Sequence, residues 1–143
     1  MPYAYADDLA IADLAFRAWG TTLEETFVAA AEATTNAMVE DLQTIAPQEQ
    51  RTFALHDEQL DLLLLQFLQE FLYYKDAQRL LLRAQQVSIR HNDSGFALQA
   101  CAAGECINPA KHALGADVKG VTLHRLQVVE TPNGWEATVI LDV

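Results

Sequence analysis

The chain has 143 residues, the size of one ordinary globular domain, and its 51% hydrophobic against 20% charged residues supply ample apolar surface for a single core. Twenty acidic against nine basic side chains leave a formal charge of −11, which argues against direct binding to nucleic acid phosphates and against adhesion to anionic lipid. The excess is lopsided, with thirteen acids and two bases in residues 1–72 and seven of each in residues 73–143, and no apolar run approaches the roughly twenty residues of a membrane span.

The chain opens Met1-Pro2-Tyr3-Ala4-Tyr5, without the basic n-region and apolar h-region of a signal peptide, so the expected setting is soluble and cytoplasmic. Asp13 to Trp19 alternates, with Leu14, Phe16 and Ala18 on one side, which is the period of a half-buried strand ended by Gly20. Thr22-Leu23-Glu24-Glu25 has the form of a capping box. The helix it opens turns Leu23, Phe27, Ala30, Ala31, Thr34 and Met38 inward and leaves Glu24, Glu32 and Glu40 on other faces. Arg51 to Asp57 alternates again as a short strand. Asp57 is placed to cap a second helix, whose face of Leu60, Leu63, Leu64, Phe67, Leu68, Phe71 and Leu72 forms the centre of the core. After Tyr73-Tyr74 the pattern turns to strands: Val87, Ile89 and His91 alternate with polar residues, Asn92-Asp93-Ser94-Gly95 is a turn, and Phe96 to Ala103 returns. Val118 to Thr131 and Trp135 to Val143 read as a long final hairpin around Pro132-Asn133-Gly134. This order predicts an α+β fold, two helices packed on a mostly antiparallel β-sheet, as a single domain over residues 1–143.

Phosphate-loop, dinucleotide and serine-elbow fingerprints are absent, as are HExxH and paired CxxC motifs. Cys101, Cys106 and His112 form a zinc trio on paper, but a single four-residue gap without a second pair favours a reduced strand thiol and a loop thiol. The chain ends are more suggestive. Asp13 opens the first clear strand, and Asp142 closes the apolar run Val139-Ile140-Leu141, one residue before the carboxylate of Val143. If the first and last strands are neighbours, three carboxylates converge, and such a set asks for a hard cation, calcium or magnesium. The plainer alternative is that both are solvated strand-end charges, the commoner fate of such residues. His112 and His124 invite a catalytic reading, because histidine is the residue type most often used as an acid–base group, yet neither has a nucleophile or metal pair beside it, which favours a structural hydrogen bond for each. Lys119 and Arg125 are placed on one pleat face of the long strand with Val121 and Leu123, where a lone lysine is usually a snorkelling surface residue.

Ala12-Asp13-Leu14-Ala15-Phe16-Arg17-Ala18-Trp19-Gly20 with Thr22-Leu23-Glu24-Glu25 resembles the opening signature of the archease family. The resemblance continues through Phe67 to Tyr73, Gly104-Glu105, Lys111-His112, Asp117 to Thr122, and Gly134-Trp135-Glu136-Ala137 to the end. It implies a protein that activates an RtcB-type RNA ligase in tRNA splicing and RNA repair. Such a protein promotes guanylylation of the ligase and its multiple turnover and has no catalysis of its own. The family is also described as a chaperone-like modulator of other RNA-processing proteins, including a tRNA methyltransferase. Carried over by residue, its metal site falls on Asp13, Asp142 and Val143, with calcium the first candidate, and this favours the carboxylate cluster over solvated strand ends. Glu70 and Lys119 match charged family positions, and with His112 they are assigned to the partner-facing surface. The chain departs from the pattern at Ala10, where the family commonly has His, and at Ala15, where it usually has Gly. Two other classes stand beside this reading: a metal-dependent hydrolase of a small phosphorylated or nucleotide substrate, using His112, Lys119 and the acidic cluster, and a general holdase. The first lacks a base–nucleophile arrangement and the second lacks a long exposed apolar segment.

Overall fold

Strict alternation over Leu14–Gly20 makes a strand whose partner is the last segment of the chain. The computed structural model describes residues 2–7 and 13–143. In chain order the elements are β1 (Tyr3–Tyr5), β2 (Leu14–Gly20), α1 (Leu23–Met38), a 3-10 turn (Leu42–Thr44), β3 (Glu49–Asp57), α2 (Leu60–Gln78), β4 (Leu80–Asn92), β5 (Gly95–Cys106), β6 (Gly120–Val121), β7 (Gln127–Thr131) and β8 (Gly134–Asp142). Every strand pairing is antiparallel. The α+β fold with two helices is therefore as expected, but the strands divide into two sheets. One runs β1-β2-β8-β6 with β7 also on β8, and the other runs β3-β5-β4.

The α1 helix lies against both sheets and α2, packing on β2, β4 and β8. Its Ala29, Ala30, Ala31, Ala33 and Ala37 are all buried, and side chains this small let the helix axis approach on several sides at once. The hydroxyls buried with them are satisfied: Thr34 donates to the Ala30 carbonyl at 2.9 Å and Thr35 to the Leu82 carbonyl at 2.8 Å. Leu63, Leu64, Phe67, Leu68, Phe71 and Leu72 of α2 are buried as the spacing requires. Phe67 is the hub, with ring centroids 5.9 Å from Phe27, 6.0 Å from Phe53 and 5.2 Å from Phe71. Burying a ring of this size stabilises by about 1.5–3 kcal/mol, before the edge-to-face contacts add to it.

Local chemistry sets the boundaries, and in three places it moves them. The Thr22 hydroxyl accepts from the Glu25 N–H at 3.1 Å as the capping box predicts. The Glu25 carboxylate, however, reaches one residue further back, accepting from the Thr21 N–H at 3.0 Å and its hydroxyl at 2.7 Å. Asp57 does not cap α2: the N-cap is Gln59, and Asp57 accepts from the Gln59 N–H at 3.0 Å in an Asx turn ahead of the helix. The helix also continues past Tyr74 to Gln78, closed by Arg79 in the left-handed region at φ 52° with its N–H on the Tyr74 carbonyl. The long strand expected over Val118 to Thr131 is split. The β6 and β7 segments pair with the two ends of β8, and between them the chain leaves the sheet in a turn with Arg125 at φ 57°. Leu123 and His124 are exposed there, off any pleat face, and Lys119 precedes β6.

Gly104 marks the tightest approach, where β5 pairs with β4 opposite Leu82. A Cβ there would stand 1.6 Å from the Leu81 carbonyl oxygen, whereas one on Gly120 would meet nothing within 4 Å. Gly104→Ala is expected to destabilise by at least the ~1–3 kcal/mol typical of overpacking. Gly120→Ala should stay within about 0.5 kcal/mol of the parent. Urea unfolding midpoints of the two variants check this, and equal midpoints would mean the β4–β5 approach at Gly104 is not tight.

Candidate functional site

The β2/β8 pairing runs from Gly20 opposite Trp135 to Leu14 opposite Leu141. Asp13 and Asp142 each lie one residue beyond that last pair, both exposed, and Val143 follows with 37% exposure. On the other side of β8, Gly120 pairs with Asp142, and the Lys119 N–H donates to the Asp142 carbonyl at 2.7 Å. Asp13, Lys119, Asp142 and Val143 are thus gathered at one end of the sheet, called the tip below. The Asp13 and Asp142 side chains offer oxygen donors alone, the kind that suits a hard divalent cation. Among the described residues no group of three or more His, Cys, Asp or Glu side chains is placed to share a metal. Ala10, the position of the family histidine, and the neighbouring Ile11 and Ala12 lie outside the described residues.

The segment beside the tip is held by a residue the sequence reading passed over. Lys75, in the last turn of α2, donates to the Val118 carbonyl at 2.8 Å and stands 3.1 Å from Asp76 and 3.7 Å from Asp117. The signal was there to find: a lysine in the last turn of an apolar helix offsets the helix dipole. A strand pattern that begins after Tyr74 leaves this lysine outside the helix, which in fact runs to Gln78. Glu70, in the middle of α2, is half-buried beside a shallow hollow with Leu55, Gln66 and Tyr73, not at the tip.

His112 is not available to a partner. It is 1% exposed, and both ring nitrogens are engaged. Nδ1 accepts from the Asn108 N–H at 2.9 Å, so the ring proton sits on Nε2, which donates to Glu105 Oε1 at 2.8 Å. This matches the structural role and corrects the assignment of His112 to an interaction surface. It also withdraws His112 as a zinc ligand with the cysteines and as a hydrolytic base. The same Glu105 oxygen accepts from Lys111 Nζ at 2.6 Å and from the Ala46 N–H at 3.1 Å. The Lys111 hydrogen bond, then the Ala46 amide, hold the Glu105 carboxyl well below its ordinary value, at about 2, against the opposing pull of burial. The cysteines stay apart from this cluster, Cys101 on β5 and Cys106 at its exposed end, 3.8 Å from Glu49.

The archease protein family (MTH1598/TM1083) matches residues 3–143. The chain belongs to the archease family. It is similar to "Protein archease" of Thermococcus kodakarensis, 35% identical over 133 residues that cover 92% of this chain and 93% of the relative. It is also similar to "Protein archease" of Methanosarcina barkeri, 32% identical over 142 residues, 99% of this chain and 95% of the relative. The solution structure of Methanobacterium thermoautotrophicum protein 1598 superposes with a TM-score of 0.85 at 30% identity, covering 99% of each chain. Among the described residues, no helix of this archease is long and apolar enough to cross a membrane.

The Glu105 cluster sets a pH dependence. A carboxyl whose folded value is depressed contributes stability that is full above its unfolded value and is lost as pH falls from there through the folded value. Glu105→Gln should therefore unfold at lower urea than the parent at pH 7. The gap should narrow as pH drops below about 4.5 and close near pH 2. A gap that stays constant from pH 7 to pH 2 would remove the ionised carboxylate as its cause.

Proposed function

We propose that this archease is a non-enzymatic cofactor of an RtcB-type RNA ligase, promoting its guanylylation and multiple turnover through the tip. The observation that carries the reading is the β2/β8 register, which places Asp13 and Asp142 together one residue past the last pair, with Val143 beside them. Family membership and the −11 charge support it. A protein this acidic is suited to meet a basic, RNA-holding enzyme rather than RNA itself, and complementary charge speeds encounter and fixes orientation.

Asp13, Asp142 and the Val143 carboxylate would hold a divalent cation, calcium foremost, with open positions left for water or for groups of the partner. Bound there, the ion would supply positive charge beside the ligase's nucleotide site. The chain's own residues contribute the rest: β2 and β8 fix the two aspartates on paired backbone, and Lys75 steadies the segment carrying Lys119. Lys119, exposed beside Asp142, is the cation placed to meet phosphate or carboxylate groups at the contact. The setting is cytoplasmic.

Mixing the protein with the ligase of its own organism and GTP should accelerate formation of the guanylylated ligase. Asp13→Ala and Asp142→Ala should each reduce that acceleration by at least about tenfold, a loss of about 1.4 kcal/mol. Normal activation by both variants would sink the tip as the working surface. Turnover of generic phosphoesters by the purified protein alone would favour the hydrolase instead. The third ligand has a separate check. A short extension after Val143 should weaken calcium binding in calorimetry while an N-terminal tag leaves it intact, and equal affinities would take Val143 out of the site.

A further inference from the structure

A groove of about 1240 Å³ opens at the other end of the β2/β8 pair from the tip. Seven residues of β2 separate the two, a span of about 20 Å at strand rise. One stripe of α1 forms the floor, since Glu24, Val28, Glu32 and Asn36 stand four apart and share a face. Trp19 at the end of β2 and Trp135 at the start of β8 form one wall. The opposite wall is Gln85, Gln86 and Val87 of β4, an edge strand of its sheet.

The charge in this groove is one-sided. Among the described residues, Glu24, Glu25, Glu32, Glu40, Asp41 and Glu136 line it against a single cation, Arg83. Arg83 is already matched by Glu32 through bonds of 3.2 and 2.6 Å, and Glu25 is committed to Thr21. Among the described residues Glu24, Glu40 and Glu136 enter no ion pair. Trp19 also lines the groove and keeps 41% of its surface exposed, and an exposed indole is a surface on which a guanidinium stacks. The volume exceeds the roughly 300–1,000 Å³ of pockets shaped for a small ligand, and the sign of the charge repels nucleic acid.

We infer that this groove docks an extended, arginine- and lysine-bearing segment of a partner protein. Basic side chains reach Glu24, Glu40 and Glu136, apolar ones lie on Val28 and the indoles, and the edge of β4 offers backbone groups to an extended chain. This surface is separate from the tip and does not depend on the tip's holding a metal.

Trp19 and Trp135 are the chain's two tryptophans, so intrinsic fluorescence reads the groove directly. Titration with a ten-residue peptide alternating Arg and Val should give a saturable change, and a peptide alternating Glu and Val should give none. The double charge reversal Glu24→Lys, Glu136→Lys should weaken binding by at least about tenfold, as should raising salt to roughly 0.5 M, with the variant still folded at the temperature of the titration. Asp13→Ala should bind the Arg-Val peptide like the parent. The inference is overturned by the lack of a saturable response up to millimolar peptide, by an equal response to the Glu-Val peptide, or by undiminished affinity in a folded double variant. It is also overturned if an RNA oligonucleotide gives the saturable response and the Arg-Val peptide does not.

Discussion

Pairing of the first long strand with the last is the constraint on which the rest of this molecule depends. In the β2/β8 ladder, Phe16 faces Val139 and Ala18 faces Ala137, and all four are sealed in the core. On the opposite face Ala15 and Ile140 are buried as well, while Arg17, Trp19, Glu136 and Thr138 point toward solvent. Strand side chains alternate with a period of two, so a slip of one residue would turn Phe16 and Val139 outward and bring Arg17 into the core. The register is therefore held by core packing along its whole length. The positions of Asp13 and Asp142 follow from it without any attraction between them, and two like charges one step beyond the last pair would repel each other. That repulsion is supported by the packing of seven paired residues, and a cation between the two carboxylates would relieve it.

A second constraint ties down the irregular part of the chain. One carboxylate oxygen of Glu105 gathers the Ala46 amide, Lys111 and His112, and so links the segment after the 3-10 turn to the loop that follows β5. Loops over a packed domain ordinarily pair their backbone with water. Here a nearly buried ionised group takes that role, with Lys111 supplying the compensating charge that burial demands. The His112 tautomer follows from the same network, since the Asn108 amide claims Nδ1.

Much of this was legible in the sequence because periodicity reports burial. The apolar face of α2 and the alternation of β2 each follow from core contacts that recur at a regular spacing. The boundaries were harder. Gln78 still belongs to α2 because Arg79 closes the helix in a left-handed conformation, a role that glycine usually announces and arginine does not. Residues 122–126 break the expected long strand for the same reason, since Arg125 at positive φ gives no compositional warning. The separation into two sheets depends on which strands meet in space, and alternation within a strand carries no information on that. The adjacency of Asp13, Asp142 and Val143 was within reach because pairing of the first long strand with the last brings their ends together. The resemblance groups His112 with Glu70 and Lys119 on a partner-facing surface, and only the folded chain brings Glu105 against its ring.

The acidity of the first half gains a different meaning once it is folded. Read along the chain, Glu24, Glu32 and Glu40 belong to outward faces of a helix and look like solvated charge. In the folded protein they share one stripe with the turn that follows, and Trp19, Trp135 and the edge of β4 surround them. Solvated charge has no need of a hollow, and acids gathered around one repel one another. That cost is borne by the stability of the fold unless a basic occupant offsets it. Arg83 offsets one acid from within the chain, and the rest have no counterpart among the described cations. A basic partner approaching this molecule therefore meets one field with two foci about 20 Å apart along the β2/β8 pair, the groove and the tip. Charge at two separated points fixes orientation where charge at one point fixes only proximity. A single partner that engages both must lie along the strands, with its basic segment at the tryptophans and a second surface of its own at Asp13 and Asp142.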